Sequence, residues 1–194
     1  MLSTTATTTE ARILDAAAAL FCERGYHAAT MRDLAAEVGI KAGSLYNHTT
    51  GKEELLFRIA HGVMAELLEG GRAAIAPHRA PCDGLRALIE FHVVYHAESR
   101  ERARVADEQL DALSPRLRAE VVALRDAYDT LFKELLEAGR AAHGWIVESV
   151  PVITFGIGGM CTWVDAWYRP GGPLGAAEIG RIYADFVLRG LEPR

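Results

Sequence analysis

Two histidines four residues apart, His92 and His96, sit on one face of a helical run with Leu85, Leu88, Ile89 and Val93. That spacing lets both imidazoles reach one metal ion, and Asp107, Glu108 and Asp111 supply oxygen donors on the next segment. The same pattern also describes two histidines on a half-buried helix, hydrogen-bonded internally or lining a pocket. The second reading is adopted, and no metal is assigned. The chain contains no nucleophile elbow, phosphate loop or dinucleotide fingerprint, and its carboxylates form no recognisable acid–base pair. Neither catalysis nor a cofactor is expected. A different chemistry is written at Gly43-Ser44-Leu45-Tyr46-Asn47-His48. A hydroxyl and a phenol can hold phosphate oxygens, and Asn pairs bidentately with adenine. A glycine lets backbone approach a groove wall closely.

Those residues need elements to carry them. Thr30 is competent to cap the amphipathic run MRDLAAEV, in which Leu34, Ala35 and Val38 share a face, and Gly39 breaks the helix after Val38. A second short helix is expected over about Ala42 to His48, with Leu45 as its main apolar anchor and the rest outward. Two short helices around a glycine-containing turn form a helix-turn-helix, the geometry that sets a recognition helix into a major groove.

These pieces resemble the TetR family of transcriptional regulators. RILDAAAALFCERGY (Arg12 to Tyr26), the T-x-x-D-L-A-x-x-x-G string (Thr30 to Gly39), G-S-L-Y-x-H (Gly43 to His48) and K-E-x-L-L (Lys52 to Leu56) occur in order at family spacing. The resemblance implies that Lys41, Ala42, Gly43, Ser44 and Asn47 face base edges. It further implies that Thr30, Tyr46, His48 and Lys52 contact phosphates. Two positions depart from the family pattern: Lys41 stands where Ser or Thr is common, and Thr49 where Phe often closes the small core.

Charge pulls the other way. The chain carries a net −5, and residues 1–56 hold five Lys/Arg (Arg12, Arg24, Arg32, Lys41, Lys52) against seven Asp/Glu. A basic footprint is absent, so any DNA contact must rest on a few placed groups. No apolar stretch reaches the roughly 18 residues of a membrane helix. MLSTTATTTE lacks the basic and apolar regions of a secretory signal. Three scattered cysteines, Cys22, Cys82 and Cys161, fit a reducing cytoplasm.

The remainder reads as helices over Lys52 to about Ala76, with Gly70-Gly71 weakening its end, and over Asp83 to Glu98. A charged, exposed helix is expected within 99–112, and a long helix from the Ser114-Pro115 start to about Ala142. From Glu148 to Arg169 the chain is apolar on nearly every side and interrupted by glycines. A last helix covers Ala176 to Leu191. As a set, Phe91, His92, Tyr95, His96, Tyr128, Phe132, Trp163 and Trp167 are candidates to line an apolar effector pocket. Interior glycines cost about 1 kcal/mol each against alanine and need compensation. Phe155, Gly156, Gly159, Ile179, Ile182, Tyr183 and Phe186 are accordingly expected at a homodimer interface. The string W-Y-R-P-G-G-P-L with its following E-I resembles the carboxyl end of TetR-type regulators of acyl-coenzyme A catabolism. That likeness implies an acyl-coenzyme A or similar apolar acid as effector.

The sequence thus predicts an all-α protein. Residues 1–9 form a disordered tail, 10–56 a three-helix helix-turn-helix domain, and 57–194 a larger ligand-binding and dimerisation domain. It is expected to be a cytoplasmic, non-enzymatic, homodimeric repressor of operator DNA released by a small effector. A helical metal-binding protein or enzyme using His92 and His96 is the alternative.

Overall fold

The computed structural model describes residues 8–193. Among them the regular elements are helical: α1 (Thr9–Arg24), α2 (Met31–Val38), α3 (Ala42–Leu45), α4 (Lys52–Ile75), α5 (Pro81–Glu98), α6 (Arg100–Glu108), α7 (Pro115–His143), α8 (Val150–Thr162), α9 (Val164–Trp167) and α10 (Ala176–Leu191). A 3-10 turn, Leu110–Ala112, joins α6 to α7. The chain forms two compact units, one comprising residues through Val63 together with Glu101–Val121, the other Met64–Arg100 together with Val122 onward.

In the first unit each short helix has a stated beginning and end. The Thr8 side chain accepts from the Ala11 amide and caps α1, while Gly25 ends it at φ +79°. Thr8 and Thr9 therefore belong to α1 and its cap rather than to a tail; residues 1–7 of the expected tail lie outside the described residues. α2 starts with a reciprocal capping box between Thr30 and Asp33 and stops at Gly39, which takes the left-handed conformation that glycine adopts without strain. Its Leu34, Ala35 and Val38 join Ile13, Ala17 and Phe21 of α1 in the core. The region 99–112 departs from expectation. Ala103, Val105, Ala106 and Leu110 are buried, so α6 is only outwardly a charged helix.

In the second unit α5 is the element against which α8, α9 and α10 pack. Burial of Leu85, Leu88, Ile89, His92, Val93, His96 and Ala97 shows that its inward face is the one read from the sequence. The expected weakness at Gly70-Gly71 is offset by packing. A Cβ on Gly70 would lie 2.3 Å from the Phe91 ring and one on Gly71 2.8 Å from the Tyr128 ring, so these aromatics fill the glycine surface and α4 runs on to Ile75. α10 closes on α5 at Gly180, where an added Cβ would meet the Glu90 backbone at 3.0 Å.

Candidate nucleic-acid interface and buried polar core

α3 presents most of itself to solvent. Lys41, Ala42, Gly43, Ser44, Tyr46, Asn47 and His48 are exposed, whereas Leu45 is fully buried. Regular α-helix ends at Leu45, and the following turn closes through Asn47 N–H to Ser44 O (3.2 Å) and His48 N–H to Leu45 O (2.9 Å). The expected helix to His48 is thus one turn of α-helix and one of tighter turn. Thr49, where a Phe was the usual family residue, is buried. Its hydroxyl donates to Gly51 O (3.0 Å) and accepts from the Gly51 amide (3.2 Å). Next to it the Glu54 carboxylate accepts the Thr50 amide at 2.5 Å and the Thr50 hydroxyl at 2.7 Å, which holds the carboxyl below its ordinary pKa. A polar cap thereby replaces an aromatic plug.

Two residues expected at phosphates have their donors engaged inside the unit. The Thr30 hydroxyl donates to Asp33 Oδ2 at 2.6 Å and accepts from the Asp33 amide at 3.1 Å. Lys52 Nζ donates to the carbonyls of Tyr26 (2.6 Å), His27 (3.2 Å) and Ala29 (2.9 Å). As placed, neither offers a free N–H or O–H toward a phosphate. For Lys52 spacing alone did not reveal this, because its acceptors lie 23 to 26 residues away in the chain, whereas the acceptor of Thr30 is only three residues on.

The second unit brings together half of the expected pocket set. His92, His96, Tyr128 and Phe132 are all buried. His92 is held through Nδ1 by the Tyr128 hydroxyl (3.0 Å) and through Nε2 by the Thr162 hydroxyl (3.1 Å), which suits a neutral imidazole with one donor and one acceptor. The two imidazoles stack with centroids 4.4 Å apart and planes 12° from parallel. A metal ion must lie about 2.0–2.1 Å from each nitrogen and near each ring plane, which stacked rings do not permit at a shared point. Phe91 and Tyr95 are half-buried, and the Tyr95 hydroxyl donates to Glu66 (2.7 Å). Trp163 and Trp167 depart from the set: Trp163, between α8 and α9, is 68% exposed, and Trp167, the last residue of α9, is 45% exposed.

Outside that core, α8 and α10 carry an apolar face. Phe155, Phe186 and Ile182 are 69%, 70% and 49% exposed, and Gly156 and Gly159 face open space. A groove of about 840 Å³ runs between the helices, its lining including Val152, Ile153, Gly156, Ile157, Met160 and Val187. Ile179, expected at a dimer interface, is instead 2% exposed. It lies one residue before Gly180, on the face of α10 that packs against α5, so it belongs to the monomer core. Tyr183 is half-buried.

Burial shapes the titration of the core. It pushes His96 down to about 4, and it pushes His92 in the same direction with help from the neighbouring His96. In the unfolded chain both imidazoles protonate near pH 6.5. Between those values the unfolded state binds more protons, so folding stability is full above about pH 6.5 and falls as pH drops toward 4. For His96 the loss is on the order of 3 kcal/mol. Urea midpoints measured from about pH 7 to about pH 5 should fall steadily, and His96→Leu should flatten the decline. A pH-independent midpoint in the wild type would contradict this burial of neutral histidines.

Comparison with known proteins agrees with this architecture. Residues 13–59 match the family of bacterial regulatory proteins, tetR family, and residues 78–191 match the tetracyclin repressor-like C-terminal domain. The HTH-type transcriptional repressor KstR2 of Mycobacterium tuberculosis (strain H37Rv) is 32% identical over 184 residues, spanning 92% of this chain and 90% of that protein. The structure of the ketosteroid transcriptional regulator KstR2 of M. tuberculosis superposes with a TM-score of 0.89 at 26% identity, covering 96% of both chains. AibR, solved with isovaleryl coenzyme A and operator DNA, gives a TM-score of 0.80 at 26% identity over 96% of this chain and 100% of that one. The chain belongs to the TetR family and is a DNA-binding transcriptional regulator.

Proposed function

We propose that this regulator is a cytoplasmic homodimeric repressor that leaves its operator when an apolar acyl effector binds. Residues 10–56 hold the DNA and residues 57–194 hold the effector and the second copy. The observation that carries the first assignment is the outward face of α3, with Lys41, Ala42, Gly43, Ser44, Tyr46, Asn47 and His48 exposed around a buried Leu45. Tyr46 and His48 supply phosphate-binding groups, while Ser44 faces base edges beside the base-reading amide of Asn47. No catalytic role is assigned. Asn47→Ala is expected to cost about 1–3 kcal/mol at one operator position and to relax the preference there. Unchanged affinity and preference across a binding-site library would remove α3 from the interface.

Dimerisation is supported by the apolar face of α8 and α10. Phe155 and Phe186 sit largely in solvent at a groove whose lining includes glycine and aliphatic side chains. Burying an exposed Phe is worth roughly 1.5–3 kcal/mol, and a two-fold axis counts each residue twice. Phe186→Glu should shift sedimentation from dimer to monomer at micromolar concentration and abolish operator binding with α3 untouched. A wild-type monomer under those conditions would end the dimer reading.

The effector reading draws on AibR, whose structure holds isovaleryl coenzyme A, and on the sterol-linked name of KstR2. The buried group of His92, His96, Tyr128 and Phe132 combines apolar surface with a few polar groups, the composition that an acyl chain with a carbonyl requires. Lys133 is half-buried and Arg169 is exposed, so cations are available for the phosphates of coenzyme A. An effector must prefer the DNA-free state, since equal affinity for both states shifts nothing. In a thermal-shift screen, an acyl-coenzyme A ester at 100 times its dissociation constant should add about 2.7 kcal/mol of apparent stability. It should release operator DNA over the same concentrations. Free acids acting where thioesters do not would replace coenzyme A with the acid alone.

A further inference from the structure

We propose that Lys52 is a positioning residue, whose cation fixes the helix-turn-helix on α4 instead of neutralising a phosphate. The inference rests on DNA binding by this unit and is independent of the effector and dimer readings. Three carbonyl oxygens, those of Tyr26, His27 and Ala29, converge on one Nζ at 2.6, 3.2 and 2.9 Å. An ammonium has three N–H donors, so these contacts use all of them. The same atom stands 4.4 Å from the centroid of the Tyr26 ring, a cation–π distance. Tyr26 is buried and lies edge-on to Phe21 at 5.3 Å, which ties the cation to the core beneath α1.

The place of these acceptors matters as much as their number. They form the turn between α1 and α2, and the next residue, Thr30, is the cap that starts α2. Gathering three carbonyl dipoles at one point is unfavourable unless a cation joins them. Two turns further along α4, Arg58 donates to the carbonyl of His48 (3.2 Å), just past α3. The first turns of α4 thus hold the helix-turn-helix at both ends, and Lys52 holds the entry. Arginine is a poor replacement, because its planar fork is built for bidentate acceptors and not for three converging carbonyls.

The test uses the full chain with Lys52→Met, Lys52→Arg and, as a control, Lys41→Met, at an exposed lysine in the cap position just before α3. Two quantities are read: hydrogen exchange of backbone amides 26–48 without DNA, and the salt dependence of binding to a short duplex of arbitrary sequence. Lys52→Met is expected to speed exchange across 26–48 by roughly tenfold while α10 stays at the wild-type rate. Its affinity falls at every salt concentration with an unchanged slope. Lys41→Met leaves exchange alone and makes the slope shallower by up to about 0.9, the value for one lost phosphate contact. Lys52→Arg keeps the charge, so a phosphate contact would tolerate it and a positioning role would not. Wild-type exchange in Lys52→Met with a slope shallower by about 0.9, or wild-type affinity and exchange in Lys52→Arg, overturns the proposal.

Discussion

Leu45 is the only side chain of α3 withdrawn from water, so this helix touches its unit through one apolar pivot while its other residues face outward. Burying one Leu supplies about 1.5–3 kcal/mol, enough to keep the helix attached but not to set its rotation. Rotation is set by what flanks it. On the entry side Gly39 adopts the left-handed conformation and the Ile40 amide returns to Ala35 O at 2.9 Å, closing α2 in a fixed direction. Arg12 adds a guanidinium bond to Val38 O at 3.2 Å. On the exit side Thr49, Thr50 and Glu54 form the polar cap of α4, and Arg58 reaches both His48 O and Glu10. The outward face of α3 is therefore a product of backbone-directed polar contacts around a single hydrophobic point.

The second unit follows another plan. Its core admits a polar cluster in which the His92 ring has both nitrogens matched, while His96 Nδ1 is buried without a hydrogen-bond partner among the described residues. Such a network favours one arrangement of α5, α7 and α8, since either hydroxyl moving away strands a buried imidazole nitrogen. α10 then serves two masters. Gly180, Ala184 and Leu191 turn toward the interior with Ile179, while Ile182 and Phe186 turn outward. This double use explains why the helix is apolar over more of its circumference than one buried face requires.

What the sequence made legible follows from the range of the interactions involved. The span of α2 was read from its capping threonine, apolar stripe and closing glycine, all local signals, while the reciprocal box that Asp33 completes emerged from the structure. α10 and the inward face of α5 were equally plain, being long and periodic. The failures are long-range. Lys52 carries the residue type of a phosphate ligand, and only the fold shows that its donors are already engaged by carbonyls 23 to 26 residues away. Ile179 and Phe186 look alike on a helical wheel until α5 takes one of them. Trp163 has the composition of a pocket wall but sits where α8 stops and α9 begins, with its indole outside. In α6 three small or branched apolar residues were masked by the charges around them.

The acidity of the DNA-binding segment takes on a definite meaning in this light. Of its carboxylates, Asp33 caps α2, Glu54 caps α4, Glu53 accepts the Ser114 amide at 2.7 Å, and Glu10 pairs with Arg58. Hydrogen bonding holds Asp33, Glu53 and Glu54 below their ordinary pKa, so they stay ionised while they serve as caps. The unit thus spends negative charge on its own architecture and gains little long-range attraction for DNA in return. With α3 at the operator, as proposed above, affinity comes from its short-range contacts, which lapse within an ångström or two of displacement. A regulator built this way is poorly served by control of its charge and well served by control of its geometry. On the reading proposed above, an effector needs only a small displacement of the recognition helices to release the operator, because little else holds the protein there.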